Sequence, residues 1–102
     1  MSTPKLEVGW DPVKAQANRA KHGVTFAQAA AVLRDPLAIT VFDAAHSQDE
    51  ERWFTLGLSH QGALLAVAHT YQVTGPASAQ ARIISARPAT RREREQYQNP
   101  PR

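Results

Sequence analysis

The stretch Arg82–Tyr97, RIISARPATRREREQY, carries five arginines (Arg82, Arg87, Arg91, Arg92 and Arg94) across a strand-like pattern that runs directly into a helix-like one. Four histidines, His22, His46, His60 and His69, are spread through the rest of the chain. A guanidinium holds two phosphate oxygens with a planar fork, and an imidazole exchanges a proton near neutrality. One reaction suits both groups: attack of an RNA 2′-hydroxyl on its own adjacent phosphate. It needs a base for the hydroxyl proton, an acid for the leaving 5′-oxygen, and fixed cations for the charge that builds on the phosphate. Metal and nucleotide motifs offer no competing chemistry, since no two histidines stand at i, i+4, cysteine is absent, and there is no glycine-rich phosphate loop. A reaction without metal or cofactor is favoured.

Each of these residues also has a plainer reading. Arg82 and Arg87 are five apart, so a regular strand sends them to opposite faces, and they share a site only if a bulge or the strand end turns one of them. Arg87 is the better phosphate clamp, because it adjoins the start of the last helix, where free N–H groups also favour an anion. The alternative is a pair with an acid such as Glu51. Arg82 is either a substrate contact or an ordinary edge arginine beside a loop. For Arg91, Arg92 and Arg94, contact with RNA competes with solvated pairing to Glu93 and Glu95, Arg91 and Glu95 being i, i+4. Tyr97 either serves a phosphate or a base, or packs. His69, in register with Leu65, Val67 and Tyr71, is either a buried, hydrogen-bonded residue or a proton-transfer group on a sheet face. His22, next to Lys21 at a helix end, either caps the helix dipole or does chemistry. Arg52 shares a strand face with Phe54, Leu56 and Leu58, so it must emerge at the strand's start or find an acid. His46 and His60 read as surface residues, and Trp10 and Trp53 as core or rim aromatics.

The elements that position these groups follow from period and caps. KLEVGWD alternates as a strand, and Asp11 with Pro12 opens a helix that Gly23 stops. Val13, Ala17 and Ala20 fall on one face of it, with Lys14, Asn18, Lys21 and His22 on the other. Thr25 and Gln28 form a capping box for a second helix through Leu33. LAITVFD is a strand, AAHSQDE an acidic loop, and residues 52–73 a hairpin turning at Gln61-Gly62. VTGPASAQ reads as a loop, ARIISAR as a strand, and Thr90 with Glu93 caps the last helix. The predicted class is α+β in the order β-α-α-β-β-β-β-α. A twisted, mainly antiparallel sheet carries the two N-terminal helices on one face and the C-terminal helix at its edge.

Length limits residues 1–102 to a single domain, with frayed ends expected at 1–4 and 99–102. The apolar runs are too short to span a bilayer, no signal-peptide pattern opens the chain, and cysteine is lacking, so a cytosolic place is the default. The net charge of +3 is unevenly spread. From Arg82 onward six arginines face only Glu93 and Glu95, which points to an anionic partner, usually nucleic acid. The same basic surface also fits a non-catalytic nucleic-acid-binding module or the docking site of an acidic protein.

WDPVKAQANRAKHGVTF, the DP pair, EER and RIISARPATRREREQY resemble, in the same order and with similar separation, the BrnT family, the toxin half of a bacterial type II toxin–antitoxin pair. The similarity runs from Trp10 to Tyr97. It implies a RelE-like fold, ribonuclease activity that blocks translation, and neutralisation by a ribbon-helix-helix antitoxin, BrnA, in a complex that represses its own operon. Operon DNA would be reached only through the antitoxin. On this resemblance Lys21, His22, Arg52, His69, Arg82, Arg87, Arg92 and Tyr97 belong to the substrate face. Arg87 is the expected clamp, with His69 or His22 as proton-transfer group and the helix arginines on flanking phosphates or the antitoxin. Three departures from the family pattern fall near this face: a long VTGPASAQ segment, Gln72, and Pro88 after Arg87.

Overall fold

Helix α1 (Pro12–His22) begins and ends where its caps predict. Asp11 accepts from the Val13 amide at 2.8 Å, and Gly23 closes the helix with a left-handed φ of 70°. Its inward stripe differs from the expectation. Val13, Ala17 and Ala20 are exposed, Val13 by 73%, while Ala15, Asn18 and His22 turn toward the body of the protein. Asn18 is the reason. Its Nδ2 donates to the carbonyl oxygens of Val24 (3.0 Å) and Ala86 (2.9 Å), and its Oδ1 accepts from the Ala86 amide (3.0 Å). A buried backbone edge must be satisfied, and here a side-chain amide substitutes for a neighbouring strand.

The computed structural model describes residues 5–100; the predicted frayed residues 1–4, 101 and 102 lie outside them. At 99, the Asn99 amide donates to the Glu95 carbonyl and closes the last helix. Helix α2 (Phe26–Val32) carries the predicted capping box, with Thr25 and Gln28 exchanging both bonds. The strands are β1 (Lys5–Gly9), β2 (Ile39–Phe42), β3 (Arg52–Leu58), β4 (Leu64–Thr70), β5 (Gln72–Gly75) and β6 (Ser78–Pro88), and α3 (Arg91–Gln98) follows. Among the described residues this is an α+β arrangement of three helices and a six-stranded, mostly antiparallel sheet in the order β1-β6-β4-β3-β2, with β5 pairing β6 off that path. The hairpin turns at Gly62, φ 80°, as its sequence predicts.

Two further expectations are corrected. The VTGPASAQ segment is not a loop. The β-branched Val73 and Thr74 and the small residues after Pro76 form a tight hairpin, in which β5 pairs the extended start of β6. The order is therefore β-α-α-β-β-β-β-β-α, with a short 3₁₀ turn, Ala44–His46, inside the acidic segment. The sheet is mainly antiparallel, as expected, and β1 joins it parallel to β6, with Lys5 opposite Ser78 and Gly9 opposite Arg82. Finally, α3 does not lie at the sheet's edge. Its one large apolar side chain, Tyr97, packs with Ala89 on Leu56, Leu64 and Ala66, whereas α1 and α2 cover the other face, where Val24, Phe26, Ala29 and Val32 meet Leu65, Val67, Ile83 and Ala86. Each face of the sheet thus has its own apolar cluster.

Asn18→Ala leaves the Ala86 N–H and C=O buried without partners. An unsatisfied buried group costs about 1–3 kcal/mol, so urea unfolding of the variant should show a loss on the order of 3 kcal/mol with an unchanged m-value.

Candidate functional site

Arg82 and Arg87 reach the same face of the sheet because β6 contains one residue more than its partner. Ser85 pairs with Ala68 and Ile83 pairs with His69, which leaves Ile84 as the extra residue. That bulge changes the parity between the two arginines, and five positions of sequence become four of alternation. The Arg82 amide donates to Thr70 Oγ1 at 3.0 Å, and Thr70 stands opposite Arg52. Arg87 stands opposite Ala66, which stands opposite Leu56. One face therefore presents three cross-strand rows: Arg52–Thr70–Arg82, then Phe54–Ala68–Ser85, then Leu56–Ala66–Arg87. Neighbouring rows are about 7 Å apart. The middle row is a floor of small side chains flanked by an aromatic ring, with arginines at both ends.

Each end is held by a carboxylate. Glu93 binds the Arg87 fork through both oxygens, at 2.7 and 3.0 Å, and also accepts from the Thr90 amide in the α3 capping box. Arg87 accordingly pairs with Glu93 rather than Glu51. The pair is reinforced locally, since the start of α3 stabilises an acid and fixes its direction. Hydrogen bonding from Arg87 leads the effects that hold the Glu93 carboxyl at about 2, and the same contact raises the guanidinium further. Arg87 also lies over the Phe54 ring, 5.5 Å from its centroid, so its charge is aimed at the middle row. At the other end, Glu50 Oε1 lies 2.5 Å from Arg82 Nη2 and 4.0 Å from Arg52 Nη2. Arg52 Nε is shielded from water and has no acceptor.

Lys21 and His22 stand at the end of α1, beside Ile84 and Ser85, and share with them a shallow cavity of about 240 Å³. They meet the border of the middle row at Ser85, which lines the same cavity. Arg91, Arg92 and Arg94 are exposed on α3. Arg91 pairs with Glu95 at 3.6 Å, as its spacing predicts, and among the described residues Arg92 and Arg94 have no carboxylate within 4.0 Å.

Two expected members are engaged in structural contacts instead. His69 is on the opposite face, 4% exposed, and both ring nitrogens are engaged. Nδ1 faces the Thr70 carbonyl at 2.8 Å, so it carries the proton, and Nε2 accepts from Thr55 Oγ1 at 2.7 Å. Thr40 completes the chain on Thr55 at 2.9 Å. Burial lowers the His69 pKa against a smaller opposing effect from Thr70, and the ring is a neutral structural group. Tyr97 shares the arginine face, but its hydroxyl donates to Asp35 Oδ2 at 2.6 Å and its ring packs. Burial and then the Asp35 bond raise Tyr97 to about 12. Asp35 also accepts from the Leu37 and Leu58 amides, and although burial works against it, these bonds with that from Tyr97 lower its pKa. The DP pair is therefore a structural hub joining α2, β3 and α3.

A cleft of about 650 Å³ adjoins Arg82, but Asp11, Glu50 and Glu51 line it with Trp10 and Tyr71, which gives it more carboxylate than guanidinium. The arginine face, and not this cleft, has the charge for a phosphate. Among the described residues no three His, Cys, Asp or Glu side chains are arranged to hold a metal ion, and no helix is long and apolar enough to cross a membrane. Phe54 lies on the Arg52 face as its alternation predicts, whereas Glu50 was missed as a member of the face. EER was visible as a motif, but the pairing of its first acid with Arg82 spans 32 residues.

The described residues thus form a mostly antiparallel sheet with helices on both sides and arginines on one face. The crystal structure of the Brucella abortus ribonuclease toxin, BrnT, superposes with a TM-score of 0.60 and 25% sequence identity, covering 85% of this chain and 100% of that one. No curated protein sequence matches the chain. Residues 10–93 match the family described as "Ribonuclease toxin, BrnT, of type II toxin-antitoxin system", and the chain belongs to that family.

The Glu93 carboxyl, at about 2 in the folded chain against an ordinary 4.5, stabilises the fold fully above pH 4.5, and that contribution is lost as pH falls through about 2. Urea unfolding at pH 5 and pH 3 should show a smaller drop in stability for Glu93→Gln than for the wild type, because the variant has no proton to take up there.

Proposed function

We propose that this chain is an endoribonuclease toxin that cuts RNA without a metal, by attack of a 2′-hydroxyl on the adjacent phosphate. The 2′-oxygen forms a bond to phosphorus while the bond to the 5′-oxygen breaks, which leaves a 2′,3′-cyclic phosphate and a 5′-hydroxyl. The observation that carries this reading is the convergence of Arg52, Arg82 and Arg87 on one sheet face around a floor of small side chains. Fixed guanidinium groups suit the charge that develops on the phosphate, and because Glu93 already orients Arg87, little reorganisation is needed. His22, beside Lys21 at the border of the middle row, is the proton-transfer group in this reading. Neutral, doubly bonded His69 is not. Arg91, Arg92 and Arg94 hold flanking RNA phosphates, and Tyr97 has a supporting role.

We read the architecture as RelE-like and the protein as cytoplasmic, blocking translation by cutting RNA. The family description names a type II toxin–antitoxin system, so the partner is a protein antitoxin, which we take to be of the ribbon-helix-helix class.

The test is cleavage of RNA by the purified chain in EDTA. Fragments ending in cyclic phosphate are expected. Arg87→Ala should lose about 10²–10³ in rate, and His22→Ala about 10²–10⁴, with melting temperatures recorded alongside. Arg92→Ala should instead weaken binding and reduce the salt slope by about one. A gel shift with no fragments would assign the same surface to a non-catalytic binding module.

A further inference from the structure

We propose that Glu50 is a built-in competitor for the substrate at Arg52 and Arg82, a carboxylate that an RNA phosphodiester must displace in order to bind. The inference rests on the ribonuclease reading and names what controls access to that site.

The two acids on the arginine face are held very differently. Glu93 is a positioning residue. It makes two bonds to the Arg87 fork and one to the Thr90 amide, it begins a helix, and its side chain is only 16% exposed. Glu50 belongs to no helix or strand. It lies between the 3₁₀ turn and β3, in a segment closed by Ser47, whose hydroxyl donates to the Asp43 carbonyl and accepts from the Arg52 amide. One oxygen of Glu50 serves both arginines, close to Arg82 and 4.0 Å from Arg52. All three side chains are more than one-third exposed, which makes this a weak, exchangeable pairing in water.

The pairing is also incomplete. Arg52 Nε has no acceptor, and its Nη2 is beyond hydrogen-bond distance of Glu50. A phosphodiester carries two charged oxygens and can serve two guanidinium groups at once, as one shared carboxylate oxygen does not. Glu50 thus keeps the arginine pair neutralised until a better anion arrives. Its displacement costs part of the binding energy at every site the toxin samples.

The test uses Glu50→Gln, which keeps the shape and removes the charge, beside Glu7→Gln, which removes an exposed charge next to Lys5 on β1 without touching this pair. Affinity is read by fluorescence anisotropy on an uncleavable 2′-O-methyl oligonucleotide, and cleavage on the matching RNA. Glu50→Gln should bind about 3- to 5-fold more tightly, through a lower KM with kcat unchanged, while Glu7→Gln stays within about twofold of wild type. Equal gains for both variants would overturn the proposal, since net charge alone would explain them. Weaker binding by Glu50→Gln with normal melting would overturn it too, and would make Glu50 an orienting residue like Glu93. Either result with a wild type that cuts RNA leaves the ribonuclease reading standing. A wild type that neither binds nor cuts RNA overturns both.

Discussion

The extra residue in β6 is the constraint on which the arginine face depends. Without Ile84 out of register, alternation would send Arg82 and Arg87 to opposite sides of the sheet, one of them into the cluster beneath α1 and α2. With it, the apolar residues Ile83 and Ala86 still point inward while both arginines point out, so the core and the cationic face are compatible on a single strand. The bulge sits beside the part of β6 whose outer edge is satisfied by Asn18 rather than by β1, which ends opposite Arg82. A side-chain amide tolerates an irregular strand there more easily than a continuous ladder would.

Charge on the face is organised in the same economical way. Arg87 is fixed by an acid that the α3 capping box already needs, so one carboxylate both starts the helix and directs the guanidinium over Phe54. Tyr97 ties the far end of α3 to Asp35, which also receives the Leu37 and Leu58 amides. The result is a helix anchored at both ends against the sheet, with Arg91, Arg92 and Arg94 directed into solvent. Anchoring of that kind preorganises charge before any ligand arrives.

What was legible in the sequence was local. Asp11, Gly23, Thr25, Gln28, Thr90 and Glu93 marked the helix ends, and Gly62 the hairpin, because caps and tight turns are decided within a few residues. What was not legible depends on distant partners. Asn18 looked like a surface residue because its partner, Ala86, is 68 positions away. The hairpin of β5 with β6 looked like a loop because Gly75, Pro76 and Ser78 are turn formers whichever strands they join. At the site, the arginines were visible as residue types, but their common face required a bulge that alternation alone does not reveal. Histidine at position 69 had the right chemistry and the wrong side of the sheet, and only the pairing of Thr55 and Thr40 shows why it is there.

The position of β6 in the sheet also has a consequence for biogenesis. This strand lies between β1 and β4 and is hydrogen-bonded to β5 as well, yet it is the last strand in the chain, and Lys5 waits for Ser78 before it has a neighbour. Pairing over such a span closes a large loop and is slow compared with turn and helix formation. A chain lacking residues 78–98 is without the strand that joins β1 and β5 to β4, and with it Arg82, Arg87 and the helix that steers Arg87. Until β6 docks between β1 and β4, the two arginines have no common face to share.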